Sequence, residues 1–202
     1  MIPRVIHQVW VGNKERPDEW MDTWKKMMPN WDYVLWTEKE IDALNMVNSH
    51  QYKSLIRDGN IAGAVDFARV EILERHGGLY VDADSICLQT LEDTKFVKGS
   101  FLAGIEYDHR VGNSIIGSVA HHPIMKHYLA RLSMATVLEP SCFTIGGTLL
   151  TTCIDLHGAD EDVVIAPYLT FYQKTKDLPR YRDQIFVRQK WGSTRDLYQD
   201  KK

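Results

Sequence analysis

The stretch His76-Gly77-Gly78-Leu79-Tyr80-Val81-Asp82-Ala83-Asp84 decides how this chain is read. Leu79-Tyr80-Val81 has the apolar, aromatic and β-branched character of a short buried strand. The two glycines before it mark a helix stop and a sharp turn. Asp82 and Asp84 fall where the strand runs out. At period two they leave the same face of an extended chain. Two acids so close are costly unless something positive neutralises them. Oxygen ligands suit Mg²⁺ or Mn²⁺, and such ions usually take one or two carboxylates plus the phosphates of a substrate.

Upstream, residues 60–76 form the strongest helical pattern in the chain, with Ala62, Val65, Val70, Ile72 and Leu73 on a covered face and Gly77 as the stop. Asp66 and Arg69 are three apart, so they share a side of this helix. On a surface such a pair contributes at most about 1 kcal/mol. Here it lies within Ala-Val-Asp-Phe-Ala-Arg-Val, and buried charges need partners. The helix leads directly into the acidic strand end, so Asp66, Arg69, Asp82 and Asp84 can meet in one crevice.

The rest of the chain supplies an α/β frame. Residues 2–10 read as a first strand, with β-propensity from Val5, Ile6 and Val9 and Gly12-Asn13 ending it, so Trp10 sits by a loop at its carboxyl end, the edge where α/β sheets bind ligands. Trp10 also reads as an ordinary packing residue. Asp18 to Met28 reads as a helix capped by Asp18, residues 31–36 as a strand, and Thr37 with Glu40 as a capping box. A further helix is expected around 52–57. Residues 85–88 look like a continuation of the acidic strand. Strands are expected at 101–105, 113–118, 163–167 and 185–187. Pro123 suits the first turn of a helix, and Gly146-Gly147 precedes another. His121-His122 is a poor metal motif, because adjacent histidines do not face one site and no cysteine or histidine cluster accompanies them. Residues 144–150 lack the spacing and lysine of a phosphate-binding P-loop. Helices alternate with strands in the first half, which implies α/β layers with mainly parallel pairing.

Composition narrows the function classes. The chain has 202 residues, 44% of them hydrophobic and 25% charged, which fits one globular domain over 1–202 and argues against disorder. A net charge of −3 gives no electrostatic footprint for nucleic acid. Cys87, Cys142 and Cys153 are odd in number and far apart, as reduced core residues of a cytosol-like compartment would be. No apolar run approaches the roughly 20 residues that span a bilayer, and no signal-peptide pattern opens the chain. A cytoplasmic location, bacterial or in a virus-infected host, is the expectation, with peripheral docking at a membrane or complex.

The composite pattern Ala64-x-Asp66-x-x-Arg69-x-x-x-Leu73-x-x-x-Gly77-Gly78-x-Tyr80-x-Asp82-x-Asp84 resembles the sugar transferases containing a DXD motif, glycosyltransferase family 32 and its relatives. That group holds yeast mannosyltransferases, α-1,4-galactosyltransferases, bacterial capsular polysaccharide enzymes and, more distantly, the clostridial glucosylating toxins. Residues 2–10 resemble the family's first strand. Asn113 with Ile115-Ile116 and His122-Pro123 is similar to a later segment, and Trp191-Gly192-Ser193 to the C-terminal loop. The resemblance implies a GT-A type, Rossmann-like α/β fold with a mixed, mainly parallel sheet flanked by helices. It also implies a manganese or magnesium ion and a nucleotide-sugar donor, UDP-sugar before GDP-sugar.

By matching positions, Asp84 would bind the metal, with Asp82 contacting metal, ribose or sugar. Asp66 and Arg69 would hold the donor sugar, and Trp10 would lie by the base. Asn113, Trp191 and Ser193 would complete the donor site, the last two on a loop closing over the diphosphate. Family members often have a histidine and a Ser-Trp pair in that loop. This chain has Gln189-Lys190-Trp191-Gly192-Ser193-Thr194, where Lys190 could supply charge. Asp66, Arg69 and Asp82 are the catalytic candidates. The implied reaction retains configuration at the anomeric carbon, and no residue stands out as a covalent nucleophile. The acceptor would be a glycan or another hydroxyl, including one on protein. Paired carboxylates also serve nucleotidyltransferases and phosphohydrolases, and a non-catalytic nucleotide-sugar or glycan-binding module is the remaining alternative.

Overall fold

The computed structural model describes residues 1–137, 141, 144–172, 179–192 and 197–199. Its centre is a six-stranded sheet. Strands β1 (Val5–Val9), β2 (Asp32–Trp36) and β3 (Gly78–Val81) pair in parallel, with β1 in the middle. Two strands, here β5 (Phe101–Tyr107) and β6 (Arg110–Ser118), form an antiparallel hairpin, and β6 also runs antiparallel to β3. Strand β7 (Val163–Ala166) adds parallel to β5, which gives the order β2-β1-β3-β6-β5-β7. Three of the sheet's five pairings are parallel, which makes it the mixed, mainly parallel sheet flanked by helices that was expected.

Strand alternation builds a core on each face. Tyr80, Phe101, Ala103 and Ile116 face one core. Leu79, Val81, Leu102 and Ile115, their immediate neighbours in sequence, face the other. The first core is covered by α3 (Ser49–Arg57), α4 (Ile61–His76), α6 (Pro123–Leu132) and α7 (Gly147–His157), with Ile41 of α2 (Glu38–Ala43). The second is covered by α1 (Asp18–Met27), α5 (Lys95–Lys98) and α8 (Tyr168–Phe171), through Trp24, Phe96 and Phe171. Among the described residues, no helix is long and apolar enough to cross a membrane.

Helix α4 is the structural spine. It is buried on nearly all sides from Gly63 to Leu73, more completely than a one-faced amphipathic helix. Asn60 caps it by accepting from the Gly63 amide at 2.8 Å. Ala62 and Val65, expected on its covered face, are exposed and half-buried because they border a cavity. Gly77 ends the helix at φ 64° and Gly78 turns the chain at φ 98°. A Cβ on Gly77 would come 2.6 Å from the Ala120 amide, and one on Gly78 2.7 Å from the Val5 carbonyl. Only glycine fits both the dihedrals and the space.

Several local expectations need correction. Asp18 is the first helical residue of α1, not its cap; the cap position is Pro17 and has no side-chain bond. Asp82 and Asp84 are not strand residues. The chain turns at 82–85, where the Ser85 amide and hydroxyl donate to the Asp82 carbonyl at 3.1 and 2.6 Å. The same-face parity of a strand therefore does not set their directions. Residues 85–88 do not continue the sheet either. Ser85–Cys87 is a separate strand, β4, antiparallel to β8 (Val187–Gln189) in a second, two-stranded sheet. That small sheet brings the C-terminal part of the chain beside the acids.

Candidate active site

From β1 the chain passes to β2 on one side, then returns to β3 on the other. The crevice beyond the carboxyl ends of β1 and β3 is where open α/β sheets take ligands. A cavity of about 520 Å³ lies there, the size of a small-molecule site. Its wall includes Trp10 and Lys14 after β1, Asn60 and Val65 at the start of α4, Arg69, and Asp82 and Asp84 after β3.

Arg69 is the hub. Its side chain is 5% exposed. One terminal nitrogen lies 3.0 Å from Asp82 Oδ1 and 3.3 Å from Asp66 Oδ1; the other donates to the Asn113 carbonyl at 2.5 Å. The guanidinium also lies over the Tyr80 ring, 4.7 Å from its centroid. Its Nε is buried without a hydrogen-bond partner among the described residues. Burial alone would lower the Arg69 pKa, but Asp82, Tyr80 and Asp66 outweigh it and keep the group cationic.

The carboxylates differ in surroundings. Asp66 is buried behind Arg69, accepting from Asn113 Nδ2 at 2.7 Å and the Ser141 hydroxyl at 3.1 Å. Burial raises its pKa against the opposing pull of Arg69. Asp82 is a quarter exposed (26%) and reaches the cavity, with Tyr80 donating to Oδ1 at 2.8 Å. Burial pushes its pKa up to about 7, opposed by Arg69 and reinforced by nearby Asp84. Asp84 is also raised, first by burial, while the Gly192 amide donates to its Oδ2 at 2.6 Å and lowers it. Two acids whose charge is poorly offset, open to one cavity, make a site for a cation.

The sequence-derived candidates thus divide. Arg69, Asp82, Asp84 and Trp10 border the cavity. Asp66 and Asn113 stand one layer back: the Asn113 amide holds Asp66 and its carbonyl holds Arg69. At the C-terminal loop Gly192, rather than Trp191, forms the cavity wall, and Trp191 takes a positive φ of 52° beside it. Ser193 lies outside the described residues. Lys190 donates its amide to the Asp84 carbonyl at 2.9 Å, but its ammonium sits over the Trp20 ring at 5.4 Å. Lys14, Asn60 and Tyr198 were not foreseen. Lys14 adjoins the strand end that pointed to Trp10, so that loop was the available signal. Tyr198 follows no element pattern that could have singled it out.

Among the described residues no three His, Cys, Asp or Glu side chains converge as a metal-binding group. The donor set nevertheless fits a hard divalent cation, because Asp82 and Asp84 supply carboxylate oxygens and a bound phosphate with water would complete the shell.

Comparison with known proteins agrees with this geometry. Residues 14–100 match the family model described as "Glycosyltransferase sugar-binding region containing DXD motif". Inositol phosphoceramide mannosyltransferase 3 of Schizosaccharomyces pombe is 29% identical over 147 residues, 65% of this chain and 37% of that protein. The chain therefore spans little more than a third of that relative. In fold, it resembles the PaToxG glycosyltransferase, with a TM-score of 0.62 at 18% identity over 78% of this chain and 70% of the other. The UDP-bound glycosyltransferase domain of the YGT toxin superposes with a TM-score of 0.57 at 10% identity, over 82% of this chain and 79% of that domain. The acids and the arginine hub lie inside the matched region, and the sheet around them has the same architecture as these enzymes. Residues 14–100 are thus similar to the sugar-binding region of the DXD-motif glycosyltransferases, on a GT-A type fold.

Proposed function

We propose that the chain is a single catalytic domain that moves a hexose from a nucleotide-sugar to a hydroxyl acceptor, with a divalent metal ion and with retention at the anomeric carbon. The observation that carries this reading is the convergence of Asp82 and Asp84 on one cavity, with Arg69 paired to Asp82 and Trp10 also lining it. The UDP held by the YGT toxin domain supports a nucleotide donor. The mannosyltransferase names of the relatives bring mannose into the donor series, beside the UDP- and GDP-hexoses. They also bring inositol phosphoceramide into the acceptor series beside glycans and proteins. A soluble cytoplasmic enzyme that docks at membranes suits such acceptors.

Breaking the anomeric C–O bond leaves positive charge on the sugar and negative charge on the diphosphate. A divalent cation held by Asp82 and Asp84 would stabilise the leaving diphosphate as a Lewis acid. Arg69 lends a fixed positive charge behind the acids, and its rigid fork keeps Asp82 aimed at the cavity. Lys14 also lines the cavity and would supply a second cation suited to phosphate oxygens. Asp66 fixes Arg69 from behind. Burial raises the pKa of both Asp82 and Asp84, so a bound cation would favour their charged forms.

The test is turnover. Purified protein with Mn²⁺ is incubated with a panel of UDP- and GDP-hexoses, and release of nucleoside diphosphate is measured with and without acceptors. Transfer or slow donor hydrolysis, abolished by EDTA, is expected. Absence of both across the panel defeats the transferase reading. Pyrophosphate release or phosphodiester cleavage in place of sugar transfer would favour a nucleotidyltransferase or phosphohydrolase. Nucleotide binding indifferent to EDTA, without turnover, would favour a binding module.

A further inference from the structure

The C-terminal segment reaches the cavity at Tyr198, which lines the same wall as Trp10. Their ring centroids are 5.0 Å apart with planes at 76°. The segment is pinned on both sides of Tyr198: the Leu197 amide donates to the Gly192 carbonyl at 2.9 Å, and the Glu15 amide to the Gln199 carbonyl at 2.8 Å. Tyr198 packs directly on Gly192, where a Cβ would lie 2.4 Å from its Cζ. On the other side, Trp10 is fixed by its indole N–H, which donates to the Lys14 carbonyl at 3.2 Å. Both rings are therefore held in place at the cavity, which Asp82, Asp84 and Gly192 also line.

We propose that Tyr198 is a nucleobase-binding residue, the second wall of an aromatic corner whose first wall is Trp10. This rests on the nucleotide-sugar reading given above. Two perpendicular rings at a cavity accept a planar heterocycle by stacking it on one face and meeting its edge with the other. A diphosphate has no planar face for such a corner and a hexose stacks only through its C–H groups, so the planar base is the part of the donor that fits both walls. Stacking is tolerant of base identity because every base has a π-face, so the corner adds affinity for uracil and guanine nucleotides alike. The contact on Gly192, whose amide holds Asp84, also couples the base wall to an acid of the cation site.

The experiment measures equilibrium binding of UDP, GDP and inorganic pyrophosphate, each with Mn²⁺, to the full chain and to Tyr198→Ala, Tyr198→Leu and Tyr198→Phe, with thermal melting of each protein. Tyr198→Leu keeps bulk over Gly192 while removing the ring, and it serves where Tyr198→Ala unfolds. Loss of one stacked base predicts about tenfold weaker nucleotide binding in the Ala and Leu variants, with Phe and all pyrophosphate affinities within about twofold of wild type. Unchanged nucleotide affinity in the Ala or Leu variant overturns the proposal. Equal loss for nucleotide and pyrophosphate also overturns it, since that is the result of a ring that merely supports Gly192 and Asp84. If the wild-type chain binds neither nucleotide, the nucleotide-sugar reading itself fails and the corner fails with it.

Discussion

Arg69 stands between Asp66 and Asp82 with almost no access to water, so it holds one charged cluster together from inside the core. Desolvating three charges is expensive, and removing one partner leaves the others uncompensated. Arg69→Ala should cost roughly 3–5 kcal/mol of stability. Asp66→Asn in that background should recover part of the loss, because the two sites share one interaction. Urea midpoints of the two single variants and the double variant measure this, and simple additivity of the two losses would contradict the coupling. The i, i+3 spacing of Asp66 and Arg69 was readable in the sequence. Their separate stations were not. Asp66 is turned back toward Asn113 and Ser141, partners 47 and 75 residues away, and local periodicity carries no information about such contacts. For the same reason Asn113 could be placed near the site without showing that it braces the arginine rather than bordering the cavity.

The turn between α4 and β3 gives the element scale its clearest case. Gly77-Gly78 was legible because only glycine meets both the positive φ values and the close backbone approach. What locks the turn was not legible. Buried His7 on β1 donates from Nε2 to the Gly77 carbonyl at 3.0 Å, while its Nδ1 accepts from the Trp36 indole at 3.1 Å. That arrangement requires neutral imidazole, and burial, only partly opposed by the Gly77 carbonyl, lowers its pKa to about 4. The unfolded chain protonates His7 near 6.5. Between those values the unfolded state binds more protons, so this contribution is intact above pH 6.5 and is lost as pH falls toward 4. The limit is about 3 kcal/mol. Urea unfolding of wild type and His7→Asn from pH 7 to 4.5 should show a shallower pH slope in the variant; identical slopes would contradict the clamp. The 82–85 turn shows the converse. An apolar run ending in Asp-Ala-Asp reads as strand by alternation, whereas the Ser85 bonds to the Asp82 carbonyl fold it away.

At the scale of the molecule, the first half builds a parallel sheet whose switch point creates the crevice, and the second half closes it through the β4–β8 pair and the Gly192 and Tyr198 contacts. The first half was legible because its strands and helices alternate and its glycine punctuation is strong. The return of the C-terminal part was not, because β8 is three residues long and is defined by its partner rather than by its own pattern. The central claim is that Asp82 and Asp84 bind a metal ion that in turn holds a nucleoside diphosphate. Calorimetric titration of UDP and GDP into wild type and Asp84→Asn, each with Mn²⁺ and with EDTA, tests it most directly. The substitution removes charge while keeping shape, so Asp84→Asn should melt near the wild-type temperature. Its Mn²⁺-dependent affinity should be roughly a hundredfold weaker, the scale of losing one key electrostatic contact, and EDTA should bring wild type down to the same level. Nucleotide affinity that is the same in both proteins and untouched by EDTA would contradict the account.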